Sequence, residues 1–312
     1  MPLHITTPLI QSPALPGSSG RTTWIKVDAL QPPGSFKIRG IGLLCEEHAR
    51  NGATRFISSS GGNAGIAVAY AGQQLGIPVV VVVPETTTAR AKELIRHYGA
   101  EVHTHGPSWQ EANEFALSLL TPSDAFIHPF DHPTMWRGHA TIIDEIASVG
   151  VKPDAIVVSV GGGGLFCGVV EGLHRNGWSD VPVVAVETEG AASLHAAIKA
   201  DKPVELERIT SIATSLGAKK VAQRAFDYTK EHDVRSVVVS DVDAVRASLR
   251  FMNEQRIVVE PACGAALAVA YQADHPALRG CKNVVCIACG GATSTVEQMQ
   301  NYLASSVVGS HE

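Results

Sequence analysis

Ala155-Ile156-Val157-Val158-Ser159-Val160-Gly161-Gly162-Gly163-Gly164-Leu165 is the stretch on which the reading of the fold turns. Its first six residues have the composition of a buried strand, the glycines make a bend with bare backbone, and a helical stretch begins at Leu165. A strand, a loop and a helix in that order let backbone N–H groups and a helix N-terminus converge on a phosphate. Alone, a glycine run is ordinarily just a turn, so its weight comes from its company.

Two further runs supply that company: Ser35-Phe36-Lys37-Ile38-Arg39-Gly40 and Ser58-Ser59-Ser60-Gly61-Gly62-Asn63-Ala64-Gly65. A lysine amine suited to a Schiff base, a serine/asparagine turn suited to a carboxylate and a glycine bend suited to a phosphate together describe a pyridoxal phosphate site. Lys37 is the expected anchor and base, and Phe36 beside it is placed to stack on one face of the cofactor ring. Ser59, Ser60, Gly61 and Asn63 enter a helix, where hydroxyls, an amide and free N–H groups suit an anion, expected to be the substrate carboxylate.

Outward from these runs, strands and helices alternate, which predicts an α/β fold of parallel sheets covered by helices. Phe56-Ile57 leads into the serine/glycine loop, Ala64 to Leu75 reads as a helix stopped by Gly76, and Ile77 to Val83 as a buried strand. A helix over about Thr88 to Tyr98 and a strand from Ala100 to His103 follow, giving a small lobe at residues 38–138. The second set predicts strands at Ala155, Val181 to Val186, Val237 to Val239 and Asn283 to Ala288. Between them lie helices from Leu165, after Gly190, after the Ser240-Asp241 cap and at Glu260-Pro261. In the helix after Ser240, the spacing of Val242, Val245, Leu249 and Met252 predicts the core face. This larger lobe takes residues 1–37 and 139–312.

With 312 residues, 45% of them hydrophobic and only 18% charged, the chain has the makings of a large core and little of the signature of disorder. A net charge of −5, with no basic run longer than Lys219-Lys220, argues against nucleic-acid or anionic-membrane partners. Met1 to Ile5 has neither the basic nor the apolar region of a leader, and no apolar run reaches membrane-spanning length, so a cytoplasmic protein is expected. The six cysteines are expected as free thiols. Cys286 and Cys289 have CxxC spacing but fall on a strand, facing opposite ways, which argues against zinc. His128, His132 and His139 are separated by prolines and lack an acidic partner at ligand spacing, so no metal is expected there either.

The three runs resemble, in order and spacing, the fold-type II pyridoxal-phosphate enzymes, a two-lobed architecture like that of the tryptophan synthase β subunit. Within them the resemblance is greatest to catabolic serine/threonine dehydratases, and it extends from about Thr23 to Gly291. It implies α,β-elimination from L-serine to pyruvate and ammonia, and from L-threonine to 2-oxobutanoate. It assigns Ser215 to the second ring face, Asn63 to the cofactor's phenolic oxygen, Ser60 and the Gly61 amide to substrate, and Cys289 to the pyridine nitrogen. The bend at Gly161, Gly162, Gly163, Gly164 and Leu165 becomes the phosphate cradle. It also places Glu187, with carbonyls of Gly161, Ala191, Leu216 and Ala218, around a monovalent cation such as K+. The dehydratase pattern often has alanine at position 61, so glycine is expected to widen the pocket.

The same resemblance implies a homodimer. No regulatory domain follows the last helix, which points to a catabolic enzyme. Serine racemases and β-replacement enzymes are the nearest alternatives, although the latter usually carry an acidic residue where this chain has Ile38. A non-catalytic phosphate-binding protein is a further alternative, but the glycine bend lacks the Lys-Ser/Thr ending of a nucleotide loop.

Overall fold

The computed structural model describes residues 1–12 and 20–308. Strands β1 (Leu9–Gln11) and β2 (Thr22–Lys26) precede helix α1 (Lys37–Arg50). Then come β3 (Arg55–Ser58), α2 (Asn63–Leu75), β4 (Val79–Val83), α3 (Ala89–His97), β5 (Glu101–Thr104), α4 (Trp109–Ser118), β6 (Asp124–Phe126) and α5 (Pro133–Ser148). The remainder is β7 (Ala155–Ser159), α6 (Gly164–Arg175), β8 (Val183–Thr188), α7 (Ser193–Ala200), α8 (Gln223–Glu231), β9 (Val234–Val239), α9 (Asp241–Gln255), α10 (Pro261–Ala270), β10 (Asn283–Ile287) and α11 (Val296–Val308).

Among the described residues the strands form two sheets: a six-stranded one in the order β1-β2-β10-β7-β8-β9 and a four-stranded one in the order β5-β4-β3-β6. Every neighbouring pair is parallel except β1 with β2. Parallel strands need helical crossovers on their faces, which is why Val79–Val83, Ala155–Ser159 and Val183–Thr188 are buried at every position. The elements of the smaller sheet lie between residues 55 and 126, while the larger sheet gathers strands from both ends of the chain.

Two departures from the sequence reading concern a strand end and a helix face. Strand β8 starts after Pro182 and runs on to Thr188, because β9 pairs Glu187 with Val238 and Thr188 with Val239. Glu187 is therefore inside the sheet rather than just past it. In α9 the fully buried stripe is Ala244, Val245, Ala247, Ser248 and Phe251, whereas Val242, Leu249 and Met252 are only half-buried. The small residues face α10, where the Ser248 hydroxyl donates to the Ala244 and Glu260 carbonyls at 3.1 Å each. Close helix approach selects small side chains, so the largest apolar residues did not mark the innermost face.

Candidate active site

In open parallel sheets, ligands bind in the crevice beyond the carboxyl ends of the strands, and three such ends meet here. Strand β3 feeds the Ser59 to Gly62 loop, β7 feeds the glycine bend, and β10 feeds Cys289 and the Gly290-Gly291 turn. Between them lies a cleft of about 1140 Å³ lined by Phe36, Lys37, Ser60, Asn63, Gly161 to Leu165, Ser215, Glu260 and Cys289.

Lys37 opens α1, and its Nζ donates to the Pro129 carbonyl at 2.7 Å. Burial lowers its ammonium from the ordinary lysine value to about 8, against weaker opposing effects of Cys289 and Glu260. A substantial fraction of the amine is thus neutral near physiological pH, the form a base or nucleophile needs. Phe36 packs on His139, ring centroids 4.9 Å apart, and the Lys37 amine stands 5.4 Å from the Phe36 ring centre.

The glycine bend is closed to side chains. A Cβ at Gly162 would stand 2.4 Å from the Phe130 ring and one at Gly164 2.5 Å from the Phe130 carbonyl, while Gly163 has φ +94°. Phe130 is itself held by the Trp136 indole N–H, which donates to its carbonyl at 3.2 Å. What remains exposed to the cleft is backbone, including the first-turn N–H groups of α6, which have no intrahelical acceptor.

The serine/asparagine loop divides. Ser60, Gly61, Gly62 and Asn63 line the cleft, but the Ser59 side chain does not: it is fully buried and donates to Asn113 Oδ1 at 2.7 Å. Side chains alternate as the loop leaves β3, so Ser59 turns toward α4 and away from the cleft. Gly61 does not widen the pocket as expected. The space an alanine methyl would occupy is taken by Thr87, whose Oγ1 would lie 2.6 Å from a Cβ at that position. Ser215, in a 3-10 turn over Thr214–Leu216, accepts a hydrogen bond from Asn63 Nδ2 at 3.2 Å. A Cβ on Gly161 would be 2.9 Å from Leu216 Cα, so this turn and the glycine bend are in contact.

Cys289 lines the cleft and its carbonyl accepts the Phe36 N–H at 3.0 Å. Its thiol is pushed well above the ordinary range by a hydrogen bond with Cys263 and by burial, so it stays protonated. Glu187 lies away from the cleft lining, wholly buried, accepting the N–H groups of Leu194 at 2.8 Å and His195 at 2.7 Å. Burial raises it to about 7. Near those N–H groups the Ser193 hydroxyl is buried with no hydrogen-bond partner among the described residues. The three histidines do separate work: His128 and His132 accept backbone N–H groups through Nδ1, and His139 is buried with neither ring nitrogen bonded.

Pro129, Phe130, Thr87, Ser193 and Glu260 were not singled out from sequence. Of these only Glu260 had a local signal, an acid directly before a helix-starting proline.

The family model of pyridoxal-phosphate dependent enzymes matches residues 1–290. The chain is 46% identical over 309 residues to the L-serine dehydratase/L-threonine deaminase of Homo sapiens, covering 96% of this chain and 94% of that one. It is 43% identical over 322 residues to the L-serine dehydratase of Dictyostelium discoideum, covering 97% and 92%. The crystal structure of the L-serine ammonia-lyase of the fungus Rhizomucor miehei superposes with a TM-score of 0.92 at 34% identity, over 97% of this chain and 98% of that one. Matched along nearly its whole length both in sequence and in fold, and with a lysine and a glycine bend lining one cleft, the chain belongs to the pyridoxal-phosphate dependent enzymes.

Proposed function

We propose that this protein eliminates water from L-serine to give pyruvate and ammonia, and from L-threonine to give 2-oxobutanoate. The observation that carries the reading is the Lys37 amine, lowered to about 8, in one cleft with an anion-binding loop and the glycine bend. The relatives named for serine and threonine dehydration support the choice of reaction.

The residues fit pyridoxal phosphate. The bend leaves room for backbone N–H groups and not for side chains, the α6 N-terminus favours an anion, and the amine is partly neutral. When bound, the cofactor supplies an electron sink for the pair released as the substrate α-carbon loses its proton. Lys37 would anchor it, and its free amine would take that proton. The N-terminus of α2, with Ser60, the Gly61 N–H and Asn63, holds the substrate carboxylate and orients the α-C–H bond. Phe36 and Ser215 would pack against the cofactor's ring. Cys289, a neutral thiol, would hold the ring nitrogen without keeping it protonated, which suits departure of a β-hydroxyl better than a long-lived carbanion. Loss of the hydroxide with that proton gives water; hydrolysis then takes up one water and releases ammonia.

Incubation of the cofactor-loaded protein with L-serine is expected to release pyruvate stoichiometrically with ammonia. Accumulation of D-serine without oxo-acid would replace this reading by racemisation.

A monovalent cation beside Glu187, with carbonyls of Gly161, Ala191, Leu216 and Ala218, is proposed as a support of the site. A buried carboxylate next to the unpartnered Ser193 hydroxyl supports it. Because burial raises Glu187 to about 7, the folded protein favours its protonated form, and that stability is lost as pH rises through 7. A cation offsets the loss only where the carboxylate is ionised. Replacing potassium by tetramethylammonium is therefore expected to lower Tm by about 2–4 °C at pH 8 and not at pH 5. Equal Tm in both salts at pH 8 removes the cation.

A further inference from the structure

Two carboxylates line the cleft; Glu205 is exposed and Glu260 is buried. Glu260 precedes α10, where Pro261 takes the first helical position. Its Oε1 accepts from Asn63 Nδ2 at 2.7 Å and its Oε2 from the Thr293 hydroxyl at 2.8 Å. The turn after β10 is shaped to admit this carboxylate: Gly291 has φ +123°, and a Cβ there would stand 2.0 Å from Glu260 Cδ.

These contacts leave the Asn63 amide one orientation. Its Oδ1 accepts the Ala292 N–H at 3.0 Å, where a flipped amide would set two donors face to face, so Nδ2 must face Glu260. One Nδ2 proton is committed to Glu260 at 2.7 Å; the other goes to Ser215 at the longer 3.2 Å. Burial pushes Glu260 up from the ordinary carboxylate range, opposed by the hydrogen bonds it accepts from Thr293 and Asn63; in its ionised form it polarises the amide and strengthens the remaining donor.

Deepening the proposed function, and resting on it, we infer that Glu260 is a positioning residue that aims the second Asn63 amide proton at the ring oxygen of bound pyridoxal phosphate. Ser215 would give up that proton when the cofactor enters. The interaction also joins the lobes, because Asn63 begins α2 beside the smaller sheet while Glu260, Ser215 and Ala292 belong to the larger part of the chain.

The test is cofactor affinity, by absorbance titration of resolved protein, for wild type, Glu260→Ala, Asn63→Ala and the double variant, with Tm measured on each. Glu260→Ala is expected to weaken affinity about 10-fold or more, and the double variant to bind no more weakly than Asn63→Ala alone. An affinity for Glu260→Ala within roughly 2-fold of wild type, or strictly additive losses, overturns the inference. If Glu260→Ala does not fold, Glu260→Gln carries the test. It keeps one acceptor for Asn63 but not the charge, and it is expected to bind within roughly 3-fold while changing the pH titration of the cofactor's visible band. A titration identical to wild type overturns the inference by that route. Wild-type protein that takes up no cofactor removes the proposed function itself, whereas normal uptake by wild type with an unaffected Glu260→Ala removes only this role.

Discussion

Lys37→Ala is expected to lower turnover of L-serine by about 10⁴-fold or more, since one substitution removes both the anchor of the cofactor and the base that takes the α-proton. Borohydride treatment should no longer trap cofactor on the protein. Lys37→Arg is expected to be equally inactive, because a guanidinium stays protonated where the Lys37 amine titrates near 8. The same value sets a pH dependence. Burial favours the neutral amine, so cofactor uptake by the resolved protein rises as pH increases through about 8. The folded state binds fewer protons than the unfolded chain between that value and the ordinary lysine range, so stability of the resolved protein rises with pH across the same window. Tm is the control: an alanine variant that keeps its Tm and still turns over serine within 10-fold of wild type, by the general acid–base scale, would remove Lys37 from the mechanism.

Arg39→Ala carries the largest expected effect on stability, about 3–5 kcal/mol, read by urea unfolding at pH 7. Arg39 and Asp28 are both fully buried, paired through Nε to Oδ2 at 2.6 Å and Nη2 to Oδ1 at 2.9 Å. Arg39 also reaches Glu145 Oε1 at 2.6 Å, and Lys26 bonds to the same carboxylate. Thr7 completes the group, its hydroxyl donating to Asp28 Oδ1 at 2.7 Å. Burial opposes the guanidinium charge and the two carboxylates more than restore it, so removal of the side chain strands Asp28 in the interior. The site should suffer with the fold, because Arg39 is two residues from Lys37 in the first turn of α1. Arg39→Lys keeps a charge without the two-pronged geometry and is expected to fall between. A loss below about 1 kcal/mol for Arg39→Ala, the size of an exposed pair, would mean that the network contributes little.

The parallel architecture was legible because its strands are buried on both faces and read as continuous apolar runs, as in Val79–Val83 and Ala155–Ser159. The short strands were not: β6 has three residues, and β1 owes its existence to pairing with β2 rather than to its own composition. The core face of α9 was only partly legible, Val245 being buried as expected and Val242, Leu249 and Met252 only half-buried, for a related reason. Periodicity counts large apolar residues, whereas the contact with α10 is made through Ala244 and Ser248.

By itself the sequence determined the local chemistry on offer: a lysine beside a phenylalanine, a bare bend after a strand, and a serine/asparagine turn suited to an anion, each specified by residues adjacent along the chain. Only the tertiary structure decided which of them meet and what stands behind them. Ser59 turns to Asn113, Thr87 fills the space beside Gly61, and Glu260 clasps Asn63 across 197 positions of chain. Such contacts carry no periodicity and no local propensity, because they arise from where crossover helices deposit loops in space. Burial, the cause of the shifts at Lys37, Glu187 and Glu260, likewise exists only once the chain has closed around them.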